Sequence, residues 1–447
     1  MSERTAATLM TEGPIWKKIT FFAIPIFLGN LFQQMYNTAD SLIVGNFLGS
    51  NALAAVSSSG NLIYLMIGFF SGIALGAGVV IARYFGARDQ ENVEKAVHTT
   101  VAFGIVASVI LTIVGVFFAP QILIWMKTPE NVMPESTTYF RVYFMGSAGF
   151  VMYNMFVGIL QAVGDSKHPL YYLILSSVIN VVLDLLFIAG FGMGVEGAAL
   201  ATDISQVVSA VFCMIQLMRC KTEYRLVLRR IRFEWDILKQ IVRFGLPSGF
   251  QNSIIAIANV VVQSNINSFG EMAMAGCGAY SKIEGFGFLP ITSFTMALTT
   301  FVSQNLGARD YDRTKKGARF GIICAVVLAE LIGIIIFIAA PVFTAAFDRT
   351  PEVIVFGTER ARTAALFYCL LAYSHSVAAV LRGAGKSVIP MIVMMIFWCV
   401  IRVTVLTGIS FVYPSIVVVY WIYPLTWTLS SIAFFIYYRK ADWLHAY

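Results

Sequence analysis

Residues Pro25–Gly49 read PIFLGNLFQQMYNTADSLIVGNFLG, an apolar run that contains a single carboxylate, Asp40. As a helix, the run is long enough to cross a hydrocarbon core of about 30 Å. At helical spacing Gln33, Asn37 and Asp40 share one face with Tyr36 beside them, and apolar side chains cover the remainder. A carboxylate at the centre of a membrane helix is unfavourable by roughly 2.5–3.5 kcal/mol, so it is retained mainly where it faces a cavity or a partner. The stretch therefore predicts a membrane-spanning helix with an ion or substrate site on one face.

The composition extends this interpretation to the whole chain. Of its 447 residues, 58% are hydrophobic and 12% are charged, with a mean hydropathy of +0.77, whereas soluble domains carry about 25% charged residues. Apolar runs of about 20 residues or more, each long enough to span a bilayer, recur at 16–44, 52–82, 97–118, 139–161, 170–189, 197–217, 240–268, 272–304, 320–340, 362–381, 389–408 and 416–437. We therefore expect an all-α integral membrane protein with twelve transmembrane helices.

The distribution of lysine and arginine predicts the orientation of these helices. Twelve spans place both termini on one side, and that side collects nearly all the basic residues. Two basic residues fall within spans, Lys282 and Arg402, and the opposite side has Lys127, Arg141, Arg349, Arg360 and Arg362. By the positive-inside rule, both termini are cytoplasmic. The net charge of +7 follows from this topology and indicates no nucleic-acid partner.

The sequence also contains an internal repeat. Matching segments recur at a nearly constant offset in residue number: Gly86-Ala87-Arg88-Asp89 with Gly307-Ala308-Arg309-Asp310, Ile24-Pro25 with Leu246-Pro247, Thr128-Pro129-Glu130 with Thr350-Pro351-Glu352, Asn30 with Asn252, Gly49 with Gly270, and Gly164 with Gly385. A constant offset across several loops and helix starts indicates a duplicated six-helix unit. Because six is even, both copies enter the membrane in the same direction, and a pseudo-two-fold axis along the membrane normal should relate the two six-helix bundles.

The join between the copies is the basic segment Met218–Asp236. We therefore expect an N-terminal six-helix lobe with its cytoplasmic linker at 1–235 and a C-terminal lobe at 236–447. Arg229, Arg230 and Arg232 alternate with apolar residues in the linker, so it could lie on an anionic leaflet as a short amphipathic helix. A plain charged linker is the alternative, and the sequence does not decide between them.

Further polar residues lie within the spans of the first half. Asn180 and Asp184 stand four apart on one helical face, and Thr202 with Asp203 follows in the next span. The functional interpretation joins Asp40, Asp184, Asn180, Thr202 and Tyr36 in one pocket. The alternative is a set of separate interhelical hydrogen bonds. We favour the pocket for the two aspartates, and leave Asp203 open.

The second half differs from the first at these positions. Its first helix keeps a polar stripe of Asn252, Asn259, Gln263 and Asn267. The repeat offset, however, carries Asp40 onto Val261 and Asp184 onto Val405. Ionisable residues instead stand in the eighth span, where Lys282 and Glu284 are two apart and point to different helix faces. For Arg402, a structural hydrogen bond or ion pair is the favoured role.

The chain shows no catalytic or metal-binding motif. It lacks HExxH, GxSxG and P-loop patterns, and its six cysteines form neither a disulfide framework nor a zinc-ligand pattern. We therefore predict that the protein is not an enzyme and uses no organic cofactor. Energy for transport would come from an ion gradient, with H⁺ favoured over Na⁺ as the coupling ion.

The pattern P-x(10)-YNTAD followed by VGNFLG, the GAR-D loops, NVVLD and GVEGAALAT together resemble the multidrug and toxic compound extrusion (MATE) family. The resemblance is greatest to a branch with an aspartate pair in the N-terminal lobe and a Lys-x-acidic motif in helix eight, although Glu284 stands where Asp is expected. It implies two six-helix bundles meeting as a V around a central cavity, and antiport of organic, often cationic drugs against H⁺ or Na⁺. The family's cation site maps onto Tyr36, Asn37, Asp40, Asn180, Asp184 and Thr202, and Na⁺ at Asp40 and Asp184 remains an alternative to H⁺.

The expected function is ion-coupled efflux of amphipathic, often cationic compounds from a multi-pass cell-membrane protein. We expect a monomer in contact with membrane lipids, with a substrate cavity lined by Gln33, Gln34, Met35, Asn154, Asn252, Asn259, Gln263, Lys282, Glu284 and Arg402. One alternative is a lipid-linked oligosaccharide flippase of the same superfamily, which should line its cavity with several arginines or lysines. Another is an intramembrane enzyme, for which no convergent acid, base or metal set is found.

Overall fold

The computed structural model describes residues 9–125, 128, 130, 132–413 and 415–445; predictions that fall on Lys127 and Pro129 lie outside this part of the chain. The regular elements that it describes are all helical. The α-helices are α1 (Ile15–Leu48), α2 (Ser50–Gly86), α3 (Gln90–Phe117), α4 (Ala119–Trp125), α5 (Met133–Met145), α6 (Ser147–Ala162), α7 (Lys167–Asp184), α8 (Val195–Arg219), α9 (Trp235–Asn267), α10 (Glu271–Gly307), α11 (Tyr311–Phe347), α12 (Pro351–Ala365), α13 (Tyr368–Gly383), α14 (Val388–Met394), α15 (Arg402–Val412) and α16 (Ile416–Lys440). Short π-helical segments, Leu185–Gly190 and Met395–Ile401, follow α7 and α14.

The helices account for the expected membrane spans. Ten of them, counting α7 and α14–α15 with their π-helical segments, are long and apolar enough to cross a bilayer. Two further spans are bent pairs, α5 with α6 at 49° and α12 with α13 at 54°. Counting each pair as one span gives twelve, so the predicted all-α architecture is confirmed among the described residues.

Two compact units divide the chain, and unit 2 combines two segments that are distant in sequence. Unit 1 contains Leu28–Leu246, and unit 2 contains Met10–Phe27 and Pro247–Tyr447. The division differs from the expected boundary at 235 and 236, because α1 and α9 each begin in one unit and end in the other. Both changes of unit occur near a proline inside the helix, Pro25 and Pro247, which cannot donate a hydrogen bond to the carbonyl four residues earlier.

The start of α9 packs closely on α2 within unit 1. A Cβ atom built on Gly76 would lie 2.2 Å from the backbone nitrogen of Gly245, so two glycines are needed for this approach. The corresponding contact in unit 2 has alanine in place of glycine. There Ala297 stands at the repeat position of Gly76 and packs in one buried cluster with Ala23 and Ile26 of α1.

The loops that close α2 and α10 repeat in detail. Arg88 and Arg309 both adopt the left-handed conformation, with φ of 57° and 58°. The next residue caps the following helix in each case, since the side chains of Asp89 and Asp310 accept hydrogen bonds from backbone N–H groups three residues on. The sequence match at these loops is therefore a structural match.

An equivalent arginine contact fixes the repeat register in α5 and α12. Arg141 Nε donates to the carbonyl oxygen of Val116 at 3.3 Å, and Arg362 Nε donates to that of Phe337, also at 3.3 Å. The same offset in residue number separates Val116 from Phe337, Arg141 from Arg362 and Gly86 from Gly307. Positions related by this offset can therefore be compared directly in these helices.

The linker between the repeats does not form the amphipathic helix that one interpretation proposed. Its regular element is a single 3₁₀ turn, Leu228–Arg230, with extended backbone on both sides. The segment is tied to α3 instead, because the backbone N–H of Val227 donates to His98 Nε2 at 3.1 Å and Arg230 forms an ion pair with Glu94. These local contacts give the charged linker a fixed course along unit 1.

Candidate functional site

Two aspartates from different helices face each other in unit 1. Asp184 ends α7 and is fully buried, and its carboxyl group interacts directly with that of Asp40 on α1. When ionised, both groups are only hydrogen-bond acceptors, so their contact becomes a hydrogen bond only if one of them carries a proton. Among the described residues, no donor satisfies either Asp184 oxygen or Asp40 Oδ1.

A third unsatisfied group adjoins this acid pair. Asn180, one helical turn before Asp184, donates from Nδ2 to Thr202 Oγ1 at 3.5 Å, while its buried Oδ1 has no donor among the described residues. The unsatisfied atoms of the pair and of Asn180 are therefore all oxygen acceptors. Among the described residues, no basic group acts on the aspartates. Oxygen acceptors without donors or a neighbouring positive charge suit a proton or another hard cation.

Tyr36 joins the acid pair from α1. It lies near the side chains of Gln33, one turn earlier, and of Gln206 of α8, and close enough to Asp40 to interact electrostatically. The structure thus brings Tyr36, Asp40 and Asp184 together with Asn180. The Asn37 side chain is exposed, and within the described part of the chain it forms no hydrogen bond with these residues.

Tyr139 of α5 is a member of this site that the sequence analysis missed. It is 6% exposed and interacts electrostatically with Asp40, Asp184 and Asp203. An aromatic residue in a membrane span is usually a packing residue, so composition and spacing give no signal for it. The bent α5–α6 pair brings its ring to the acids.

Asp203 interacts with Tyr139, as the acid pair does, but has a partner of its own. Its buried carboxyl group accepts a hydrogen bond from the backbone N–H of Gly146, at the bend between α5 and α6. A Cβ atom on Gly146 would lie 2.0 Å from Asp203 Cγ, so glycine is needed there. This contact connects the acidic site to the bend.

The remaining expected cavity residues of unit 1 have different surroundings. Asn154 accepts from Ser71 Oγ at 3.2 Å and donates to the Phe150 carbonyl at 2.9 Å, which links α6 to α2. Gln33 and Met35 are exposed, and Gln34 is half-buried. Asn154 therefore has a structural hydrogen-bonding role, whereas the α1 side chains present an accessible polar and apolar surface.

The expected cavity residues on α9 lie along an open helix face. Asn259 and Gln263 are exposed, and Gln263 Nε2 donates to Asn267 Oδ1 at 2.8 Å. Asn252 is half-buried. These amides supply hydrogen-bonding groups but no charge.

In unit 2, Lys282 and Glu284 have separate environments. Lys282 is exposed. Glu284 is half-buried and accepts a hydrogen bond from Tyr280 Oη at 3.2 Å, and Tyr280 Oη lies 3.1 Å from Tyr368 Oη. The carboxylate therefore belongs to a hydrogen-bonded chain inside the unit, and the lysine does not.

Arg360 corrects the expected charge distribution. It is expected from sequence on the side opposite the termini, but it is 4% exposed. Its guanidinium carbon lies 5.0 Å from the ring centre of Tyr280 and 5.4 Å from that of Tyr423. Arg402 is 2% exposed, lies 4.5 Å from the Tyr423 ring and donates from Nη2 to Thr426 Oγ1 at 2.9 Å. Aromatic rings make burial of both guanidinium groups more favourable.

A family model described as MatE matches this chain twice, at residues 25–186 and 247–407. The two matches begin at Pro25 and Pro247, which form one of the repeat pairs, so they agree with the duplication. Among curated proteins, the chain is 28% identical to the probable multidrug resistance protein YoeA of Bacillus subtilis, over 96% of this chain and 94% of YoeA. It is 26% identical to the probable multidrug resistance protein NorM of Thermotoga maritima, over 85% and 82% of the two chains.

Solved structures show the same fold. A MOP superfamily transporter from Pyrococcus furiosus superposes with a TM-score of 0.91 at 26% identity, over 98% of both chains. An outward-facing structure of a multidrug resistance MATE family transporter superposes with a TM-score of 0.90 at 26% identity, again over 98% of both chains.

Proposed function

The chain belongs to the MATE family of multidrug transporters, and from this premise we propose that it is an ion-coupled antiporter. It exports amphipathic, often cationic organic compounds by alternating access, and H⁺ is the coupling ion in preference to Na⁺. The relatives named above are multidrug proteins and transporters, so a flippase and an intramembrane enzyme are not favoured.

The observation that supports coupling most strongly is the contact between Asp40 and Asp184. Two carboxyl groups that face each other in a water-poor site do not both ionise, because each negative charge disfavours the other. The pair therefore holds one proton or another cation readily and releases it when the surroundings change. Coupling follows if the loaded pair and the bound drug favour different states of the same pocket.

The substrate class follows from the surface beside this pair. Gln33 and Met35 are exposed on α1, the helix that contains Asp40, and Met offers an adaptable apolar contact. A cation that binds near carboxylates competes with the proton for the same negative charge. This competition would exchange drug for proton without a second coupling site.

We further propose that the protein is a multi-pass cell-membrane protein with both termini cytoplasmic, as the positive-inside rule predicts. The loops that contain Asp89 and Asp310 should then both be cytoplasmic. A cysteine at either position should resist an impermeant thiol reagent in intact cells and react in inverted vesicles. Labelling in intact cells would contradict this orientation.

The coupling proposal is tested by Asp40→Asn. Asparagine preserves the shape of the side chain but cannot exchange the proton. Uptake of a fluorescent organic cation into inverted vesicles under an imposed pH gradient should fall to the level seen without a gradient, while the purified variant still binds the drug. Asp236→Asn is the matched control, because the Asp236 side chain is 95% exposed.

The same assay distinguishes the coupling ions. Wild-type uptake by Asp40→Asn would remove Asp40 from the mechanism. Uptake that follows a Na⁺ gradient at fixed pH, and that requires both aspartates, would make the pair a sodium site.

A further inference from the structure

Unit 2 contains more buried positive charge than its acids balance. Arg360 and Arg402 interact electrostatically with each other, and Glu284 is the carboxylate that acts on both. Within the described residues, no ion pair of 4.0 Å or less joins Glu284 to either arginine. With Glu284 ionised, this arginine cluster (Glu284, Arg360 and Arg402) carries a net charge of +1.

The aromatic neighbours contact the guanidinium groups without using their hydrogen-bond donors. Tyr423 lies beside both arginines, Tyr280 beside Arg360, and Trp398 lies 5.5 Å from Arg402. A ring attracts the charge of a guanidinium, but the N–H groups of the guanidinium still need acceptors.

Few acceptors are present for these N–H groups. Arg402 donates from Nη2 to Thr426, and its buried Nε has no partner among the described residues. Arg360 Nη1 reaches the Cys277 carbonyl at 3.5 Å, the long limit of a hydrogen bond. A buried donor without an acceptor, at Arg402 Nε, is the reverse of the situation at Asp40 and Asp184.

We propose that unit 2 contains a binding site for a monovalent anion between Arg360 and Arg402, beside the ring of Tyr423. The ligand is chloride or the carboxylate of an organic solute. Either would neutralise the remaining charge and accept the free N–H bonds, and a carboxylate matches the planar guanidinium geometry. Glu284 interacts electrostatically with both arginines, so its negative charge weakens anion binding by repulsion.

The test is thermal unfolding of the purified full-length protein in detergent. Sodium sulfate is replaced stepwise by sodium chloride or by sodium acetate at constant ionic strength. One or both monovalent anions should raise the unfolding temperature along a saturable curve. Saturation with chloride alone identifies an inorganic-anion site, and saturation with acetate identifies a carboxylate site.

Three variants locate the effect. Arg402→Gln and Arg360→Gln should each abolish the saturable shift. Glu284→Gln should lower the half-saturating concentration by about tenfold or more, because it removes a negative charge a few ångströms from the anion. Arg362→Gln is the matched control, since Arg362 lies on the same helix, is exposed and carries the same charge.

The proposal is overturned if neither anion shifts the unfolding temperature relative to sulfate, or if the shift persists in both Arg360→Gln and Arg402→Gln. If the arginine variants do not fold, Glu284→Gln decides alone, because a purely structural cluster would not bind anions more tightly after loss of its carboxylate. This measurement requires no transport, so its failure would leave the proposed antiport activity unaffected.

Discussion

The two units place opposite charges at different positions of one repeated framework. The contacts of Arg141 and Arg362 show that α5 and α12 share one register, and the same offset relates the other helices of the two units. The two aspartates of unit 1, Asp40 and Asp184, are replaced in unit 2 by Val261 and Val405. Tyr139 is replaced by Arg360, and Thr202 by Tyr423.

The difference shows how a duplicated bundle can acquire two kinds of site. The helix-capping loops and the long spans are the same in both copies, so the backbone supplies the same places for inward-facing side chains. Around its charged site, unit 1 has oxygen acceptors that lack donors, and unit 2 has a guanidinium donor, Arg402 Nε, that lacks an acceptor, among the residues that the structure describes. One site therefore suits a cation and the other an anion.

The largest expected effect comes from giving unit 1 the residue that unit 2 has. Asp184→Val should reduce pH-gradient-driven uptake to the background level, because the acid pair loses its proton exchange. The unfolding temperature should stay the same or rise, since an unsatisfied buried polar group costs about 1–3 kcal/mol. Uptake in inverted vesicles and thermal unfolding measure the two effects.

Asp236→Val, at an exposed position, is the control for the loss of one acid. Gradient-driven uptake at the wild-type rate by Asp184→Val would show that the contrast between the two units has no role in coupling.

A smaller effect on uptake is expected at the equivalent positions Tyr139 and Arg360. Tyr139→Phe keeps the ring but removes the hydroxyl group near Asp40 and Asp184, and the loss of about 1 kcal/mol of polar interaction corresponds to roughly fivefold slower uptake. Arg360→Lys in unit 2 should leave the uptake rate unchanged. If Arg360→Lys slows uptake as strongly as Tyr139→Phe does, the two units are not functionally distinct.

The smallest effect is expected for Asp203→Asn. The amide oxygen still accepts the hydrogen bond from the Gly146 N–H, so the uptake rate should change by less than about twofold. The number of protons exchanged per drug molecule should also stay the same. It is measured from the pH gradient that balances a fixed drug gradient. A lower number would make Asp203 a third coupling acid and increase the charge contrast between the units.

Much of the fold could be predicted because its signals are local. The length of an apolar run predicts a span, and a constant offset predicts a duplicated unit, whatever the packing. The facing of Asp40 and Asp184 was also predictable, since each carboxylate interrupts an apolar helix and is costly unless it has a cation or a partner.

The contacts that depend on packing could not be predicted. Charge predicts exposure, so the sequence places Arg360 outside the spans, but three-dimensional packing surrounds it with Tyr280 and Tyr423. Tyr139 has no distinguishing neighbour in sequence. The linker is held by His98 and Glu94 of α3, and no periodicity of its own residues indicates such contacts.

The exchange of α1 and α9 between the units has a consequence for biosynthesis. The first segment of unit 2, Met10–Phe27, is synthesised before any of its partners, and the rest of that unit begins only at Pro247. Unit 1 in turn lacks the contact of Gly245 with Gly76 until the ribosome has translated more than half of the chain. Each repeat emerges from the ribosome as one contiguous segment, and neither segment contains all the parts of a unit. Insertion of the first six spans therefore leaves two helix surfaces uncovered, and both units reach their final packing only when the second repeat has been made.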